Sequence, residues 1–292
     1  MKSNRIILIF WVLSVSYFPT CLGQSYFDII NLQYEHAAYS PGNTDNFSIN
    51  RIQARFNFAF ELENEDLILA NYLGESFSFK DLKYNGAEID LYSHFLSGGY
   101  LHFWKDKEWS FLAQARIKLN SDIFKPAFGQ LQLGGWFMFT YNRNDQLSYF
   151  AGGYYNQEVN KDLIFPIGGL HWTPNDKWNL YVLIPSQVRF EWMLKKKSWY
   201  TGLESDWTLN TYLLGNNPDI YYFRKETLLT SFFIEKHLSE KLVLYARIGN
   251  YQINDYEAFN EFEQLITQAQ LDSDLIKNIS LQAGLAYRLR FR

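Results

Sequence analysis

The chain has 292 residues and a formal charge of −4, and it carries no basic stripe of the kind nucleic acid selects, so no nucleic-acid partner is expected. Aromatics make up 19% of it, yet mean hydropathy is −0.26, and past the first residues no apolar run is long enough for a membrane-spanning helix. A single cysteine, Cys21, excludes an internal disulfide or a thiolate metal cluster.

The opening residues, MKSNRIILIFWVLSVSYFPTCLGQ, read as a cleaved signal peptide over 1–23. Lys2 and Arg5 supply the positive start, Ile6 to Val15 the short apolar stretch, and Cys21 and Gly23 the small residues before the cut. The rival reading is a lipidated Cys21. A lipoprotein signal needs a branched apolar residue and then small ones before that cysteine, where Phe18, Pro19 and Thr20 stand.

From there the chain alternates at period two. Arg51 to Leu62 sets Ile52, Ala54, Phe56, Phe58, Phe60 and Leu62 against Arg51, Gln53, Arg55, Asn57 and Glu61. Trp109 to Asn120 repeats the pattern, with Phe111, Ile117 and Leu119 opposing Gln114, Arg116 and Lys118. Such runs are strands between an apolar and a polar environment, and they are about twice the usual soluble length of roughly 5–6 residues. Tight polar turns at Glu63-Asn64-Glu65, Lys105-Asp106-Lys107, Arg143-Asn144-Asp145, Pro174-Asn175-Asp176, Lys195-Lys196-Lys197 and Leu238-Ser239-Glu240 alternate with mostly longer connections. That rhythm predicts an all-β, transmembrane, antiparallel up-and-down β-barrel over 24–292, of about 14 strands with 12 as the alternative, both termini on the periplasmic side. Leu180 to Met193 is either a hairpin at Pro185-Ser186 or one strand bent there; parity of the termini favours the hairpin.

Aromatics flank successive tight turns: Trp104 and Trp109, Tyr141 and Tyr149, Trp172 and Trp178, Trp192 and Trp199. Rings with one wet end settle where lipid tails meet headgroups. The glycine pairs Gly98-Gly99, Gly134-Gly135, Gly152-Gly153 and Gly168-Gly169 fall inside strands, where they permit curvature and close approach. Asp255 to Gln270 departs from period two. Phe259, Phe262, Leu265 and Ile266 mark a short amphipathic helix in the last external loop, either resting on the barrel mouth or folding partly into the lumen, or merely capping a long hairpin on the outside. The last strand again alternates, Leu281, Ala283, Leu285, Tyr287 and Leu289 opposing Gln282, Gly284, Arg288 and Arg290.

That C-terminal strand resembles the assembly signal of outer-membrane barrels, with Gln282, Gly284, Tyr287 and Leu289 at its spacing, although Arg292 follows Phe291 where an aromatic usually ends the chain. The run PIGGLHWTPNDKWNLYVLIPSQVRFEW is similar to a family of outer-membrane barrels known only as a domain of unknown function. The resemblance implies architecture and an outer-membrane location. It supplies no catalytic residues.

Signatures of chemistry are missing from the sequence. A barrel lipase needs a histidine and a serine two residues apart on one strand face. His36, His94, His102 and His171 have no serine so placed, and Ser239, two residues from His237, falls in a tight turn. There is no HExxH and no phosphate loop, so neither an enzyme, a metal site nor a cofactor is expected. The lumen-lining candidates are Arg51, Arg55, Arg116, Lys118, Arg189, Glu191, Arg247, Arg288 and Arg290, with Glu35, Glu88, Asp90 and Glu226 added on weaker parity. Closure is expected to bring Glu35 toward Arg288 or Arg290. These charges either select solutes or brace the interior. The expected function is a passive pore or small-solute transporter of the outer membrane. The alternatives are a structural or assembly protein with a closed lumen, and a lipid-acting barrel enzyme. The expected partners are outer-membrane lipids, the barrel assembly machinery and a small solute.

Overall fold

Extended backbone leaves N–H and C=O groups on both edges of every strand, and in a lipid environment each edge needs a neighbour. In the computed structural model, a single sheet meets that need by closing on itself. The structure describes residues 26–39, 47–84, 87–104, 107–122, 131–159, 161–196, 198–214, 221–262, 264–270 and 278–290; the expected signal peptide lies outside them.

The strands are β1 (Tyr26–Tyr39), β2 (Phe47–Glu61), β3 (Leu67–Tyr84), β4 (Ala87–Phe103) and β5 (Trp109–Ser121). Then come β6 (Leu131–Asn144), β7 (Leu147–Gln157), β8 (Asp162–Asn175), β9 (Trp178–Ile184) and β10 (Gln187–Lys195). The last are β11 (Trp199–Leu213), β12 (Tyr222–His237), β13 (Leu242–Phe259), β14 (Leu265–Gln270) and β15 (Ile279–Arg290). Sequential neighbours pair antiparallel from β1 to β13, and β15 joins β13 to β1, with Tyr26 opposite Arg290. β14 pairs only with the outer end of β13, so the closed wall has 14 strands, the larger of the two expected numbers. The short turns, the start of β1 and the end of β15 lie on one side.

The alternation sorts two environments. On β1, Leu32 and Tyr34 are exposed outside while Gln33 and Glu35 are buried inside, and Ile52, Phe58 and Phe60 continue the outer face on β2. No described part of the chain covers this apolar band; it is the surface that meets lipid. Trp104, Trp109, Tyr149, Trp172, Trp178 and Trp192 are exposed beside the short turns, forming the aromatic girdle expected there.

Two sequence readings resolve differently. Pro185-Ser186 is a hairpin turn between β9 and β10, as parity favoured. The helix over 255–270 is not formed. Asp255 to Phe259 extends β13 against β12, Tyr222 pairing with Phe259, and Leu265 and Ile266 open β14. Tyr256 and Ala258 are buried at period two while Phe262 and Leu265 are exposed, so no helical stripe exists. The long edge of β12 offers hydrogen-bond partners that an isolated turn or two of helix lacks.

The wall is lowest at β9–β10. β9 pairs with β8 only from Gly168 inward, and β10 pairs with β11 only up to Asp206. Two glycines seat this hairpin. A Cβ on Gly169 would lie 1.8 Å from the Val182 carbonyl oxygen, and one on Gly202 1.8 Å from that of Phe190. At Gly168 the nearest atom would be 3.6 Å away, an ordinary contact. Gly169→Ala is therefore expected to cost about 1–3 kcal/mol of strain, the usual range for an overpacked site. Gly168→Ala is expected to be silent. Heat-modifiable gel migration after refolding checks both: loss of the folded band for Gly169→Ala alone is the expected result.

Candidate functional site: the barrel interior

Strand parity aims one face of every strand into the enclosed space, and the polar groups there sort into three tied clusters and one open region. The first cluster lies toward the short-turn side. A bulge between Asp28 and Ile30 shifts the parity of β1, turning Tyr26 and Asp28 inward. Arg288 Nε then lies 2.5 Å from Asp28 Oδ1, and Arg288 Nη1 2.6 Å from Glu235 Oε2. Arg290 meets Glu191 with both terminal nitrogens, at 2.7 and 3.0 Å. Arg189 donates to Glu235 at 2.7 Å and to Glu204, which Arg247 also approaches at 3.4 Å. The Tyr26 ring sits between guanidinium groups, 3.7 Å from that of Arg288 and 5.3 Å from that of Arg189. These bonds tie β15 and β1 to β10 and β12 through the interior.

The second cluster holds Glu35. Expected near Arg288 or Arg290, it instead lies 3.1 Å from Arg51 Nε and accepts hydrogen bonds from Tyr251 at 2.5 Å and Ser280 at 2.7 Å. Antiparallel register explains the correction: β1 and β15 meet with Glu35 opposite Gln282 and Asp28 opposite Arg288. Asp90 and Glu226 have outward parity; Glu226 accepts from Trp207 Nε1 and Arg224.

The third cluster is built by β11 leaving the wall. Past Trp207, whose N–H donates to the Ser186 carbonyl at 2.9 Å, it has no backbone partner on the β10 side among the described residues, and its end crosses toward β5, where Leu213 pairs in parallel with Ser121. Thr211 donates to Glu158 Oε2 from its backbone N at 2.9 Å and its hydroxyl at 2.5 Å. Its carbonyl accepts from Asn120 and Gln132, each at 3.0 Å, and Lys118 holds the other Glu158 oxygen at 2.7 Å. Outside this crossing, Phe77, Phe79, Tyr212, Phe223, Tyr251 and Tyr256 pack into a buried aromatic cluster.

Between these closures the inward residues at mid-wall are not buried. Arg55 is exposed, and Asn57, Asn71, Gln114, Arg116, Trp136 and Tyr154 are half-buried. Arg116 donates to Tyr154 at 3.1 Å, with the Phe95 and Tyr154 rings each 4.9 Å from its guanidinium carbon. Among the described residues neither Arg55 nor Arg116 has a carboxylate partner. The nine charged candidates from the sequence thus all face the interior: Arg51, Lys118, Arg189, Glu191, Arg247, Arg288 and Arg290 enter ion pairs there, and Arg55 and Arg116 line the open region. Sequence reading missed Glu204 and Glu235, which parity alone would have found, and Glu158 and Thr211, which no pattern marks.

A separate polar knot closes the turn before β3. Asp66 accepts from Tyr100 and from the Phe103 N–H at 3.1 Å, and His102 Nδ1 lies 3.0 Å from both its oxygens. Burial pushes this carboxyl up, but the hydrogen bonds from His102, Tyr100 and Phe103 outweigh it and hold the pKa at about 2. Because the folded value lies below the ordinary 3.8, the stabilisation is present above 3.8 and is lost as pH falls toward 2. Asp66→Asn is expected to flatten the pH dependence of the thermal midpoint over that window, measured on the detergent-refolded protein. Arg288→Ala leaves Asp28 without its cation, while Glu235 keeps Arg189, and is expected to cost about 3–5 kcal/mol, the range for breaking a buried pair, read from urea titration of the folded band.

No curated protein matches the sequence. Among solved structures, the chain is similar to the COG4313 outer membrane channel from Pseudomonas putida, at 9% identity and TM-score 0.47, over 89% of this chain and 94% of that one. It is similar to the TodX deltaS2S3 mutant monoaromatic hydrocarbon channel at 10% identity and TM-score 0.41, over 90% of each chain. For the KdgM porin in complex with disordered oligogalacturonate the figures are 8% and 0.35, over 88% and 98%. The fold assignment rests on this chain's own ladders. The family model for the domain of unknown function DUF6268 matches residues 43–288, and the chain belongs to that family.

Proposed function

We propose that this protein is an outer-membrane channel through which small solutes diffuse passively, by way of a wet chamber at mid-barrel. The apolar outer band and the girdle support membrane residence, and an export signal over 1–23 fits an outer-membrane location. The observation that carries the channel reading is Arg55. A guanidinium without a carboxylate partner costs several kcal/mol to dehydrate. Arg55 nevertheless faces the enclosed side of β2, between Gln53 and Asn57, and is exposed there. The interior around it therefore has room for water, and a solute can replace that water.

Arg55 and Arg116, which line the chamber with no carboxylate within salt-bridge distance among the described residues, predict a preference for anions. A closed, purely structural barrel is the second reading, favoured by the three tied clusters that brace the interior. Planar-bilayer recording separates the two. The expected result is reproducible conductance steps whose reversal potential in a salt gradient indicates anion preference. Arg55→Glu is expected to shift that potential toward cations with the steps retained. A silent bilayer with correctly folded protein contradicts the channel.

A further inference from the structure

Clusters of buried side chains flank the chamber along the barrel axis on both sides. Outward lie the crossing of β11, tied through Thr211, and the buried aromatic cluster. Toward the short turns lie the Tyr26–arginine–glutamate network on one wall and buried Leu67, Leu69, Leu101 and Leu112 on the other.

One side of the wall is different. β9 and β10 are the shortest wall strands, and they turn at Pro185-Ser186 well below the outer ends of their neighbours. On β8, residues 162–167 pair with β7 but have no partner on the β9 side. On β11, residues 208–213 pair with β12 but have no backbone partner on the β10 side, the last tie being the Trp207 N–H, which donates to the Ser186 carbonyl at 2.9 Å. Among the described residues no strand lies between these two edges, and each runs roughly 20 Å at about 3.3 Å per residue. The β8 edge carries Pro166, a residue that cannot donate to a ladder and is tolerated where none is formed. The rims are apolar: Ile164 is 77% exposed and Ile184 53%. The gap is tied at its outer end, where Thr211 donates to Glu158 and accepts from the Val159 N–H at 3.0 Å, and between the ties the rings of Phe165 and Trp207 meet edge to face at 5.9 Å. Phe165 also stacks on Tyr154 at 4.5 Å, and Tyr154 takes the hydrogen bond from Arg116 inside the chamber.

Resting on the channel reading above, we propose that solute passes between the chamber and the membrane sideways, through this opening between β8 and β11, with Phe165 and Trp207 as its movable seal. The same residues define the solute class. An apolar rim at the level of the lipid-facing band admits a body that tolerates hydrocarbon, while Phe95, Tyr154 and the cations Arg55 and Arg116 inside receive a ring and a negative charge. The fitting class is a small amphiphilic anion such as an aromatic sulfonate or carboxylate. Side-chain rings are suited to the seal because rotamer changes open them without breaking backbone hydrogen bonds, which the membrane does not forgive.

The test uses the full chain in a Cys21→Ser background, reconstituted in phosphatidylcholine vesicles, with naphthalene sulfonate as the solute and chloride conductance recorded in parallel. Ile164→Cys places a thiol on the rim, and Ile52→Cys, 63% exposed on the outer face of β2, places one far from it. After reaction with a bulky maleimide, uptake of naphthalene sulfonate is expected to fall roughly fivefold or more for Ile164→Cys and to hold for Ile52→Cys, as for a plugged constriction. Trp207→Ala is expected to raise uptake. Unchanged uptake through the maleimide-blocked Ile164→Cys protein overturns the sideways route while leaving the channel intact. Failure of the unmodified protein to pass either anion overturns the channel reading, and this proposal with it.

Discussion

Everything in this structure follows from the cost of leaving a backbone N–H or C=O unpaired in lipid, several kcal/mol for each group. The pairing of β1 with β15 and of β12 with β13 removes the two sheet edges that a linear arrangement of these strands would expose. The hydrophobic band, the girdle and the enclosed charges are then consequences of period two on a closed surface. The rule is strained beside the β9–β10 hairpin, and there the chain answers by taking the outer end of β11 out of the wall and into the interior.

The interior charges obey the same accounting of solvation. Arginines and glutamates that are buried are paired, often doubly: Glu235 meets both Arg288 and Arg189, and Glu204 meets both Arg189 and Arg247. Replacing one partner exposes the other to a dehydrated site, so the network behaves as a unit rather than as a set of independent bonds. Arg55 and Arg116 stand apart from it. One is exposed on the enclosed face and the other is flanked by aromatic rings.

Much of the architecture was legible in the sequence because strand parity and tight turns are local signals. The strand number, the side of the termini, the girdle and the hairpin at Pro185-Ser186 all came from alternation and punctuation. What was not legible depended on distant partners. Residues 255–270 satisfy period two through Tyr256 and Ala258 as well as a helical spacing through Phe259 and Phe262, and only the length of β12 decides between them. Parity assigns Thr211 to the lipid face, yet it is fully buried because β11 turns inward. The bulge on β1 hid Tyr26 and Asp28, and the partner of Glu35 followed from a register that composition does not encode. The open chamber was invisible for the same reason: it is defined by which charges lack partners, and pairing is a property of the folded chain.

The most direct measurement of the central claim, that alternate residues of one strand see lipid and an aqueous enclosed interior, is a spin-label scan along β2 in bilayers. Labels placed singly at positions 52 to 56 are compared for collision with oxygen, which concentrates in lipid, and with a water-soluble nickel chelate. The account requires positions 52, 54 and 56 to favour oxygen, and positions 53 and 55 to favour nickel or to be shielded from oxygen. Uniform accessibility along the strand, or the opposite alternation, would contradict it.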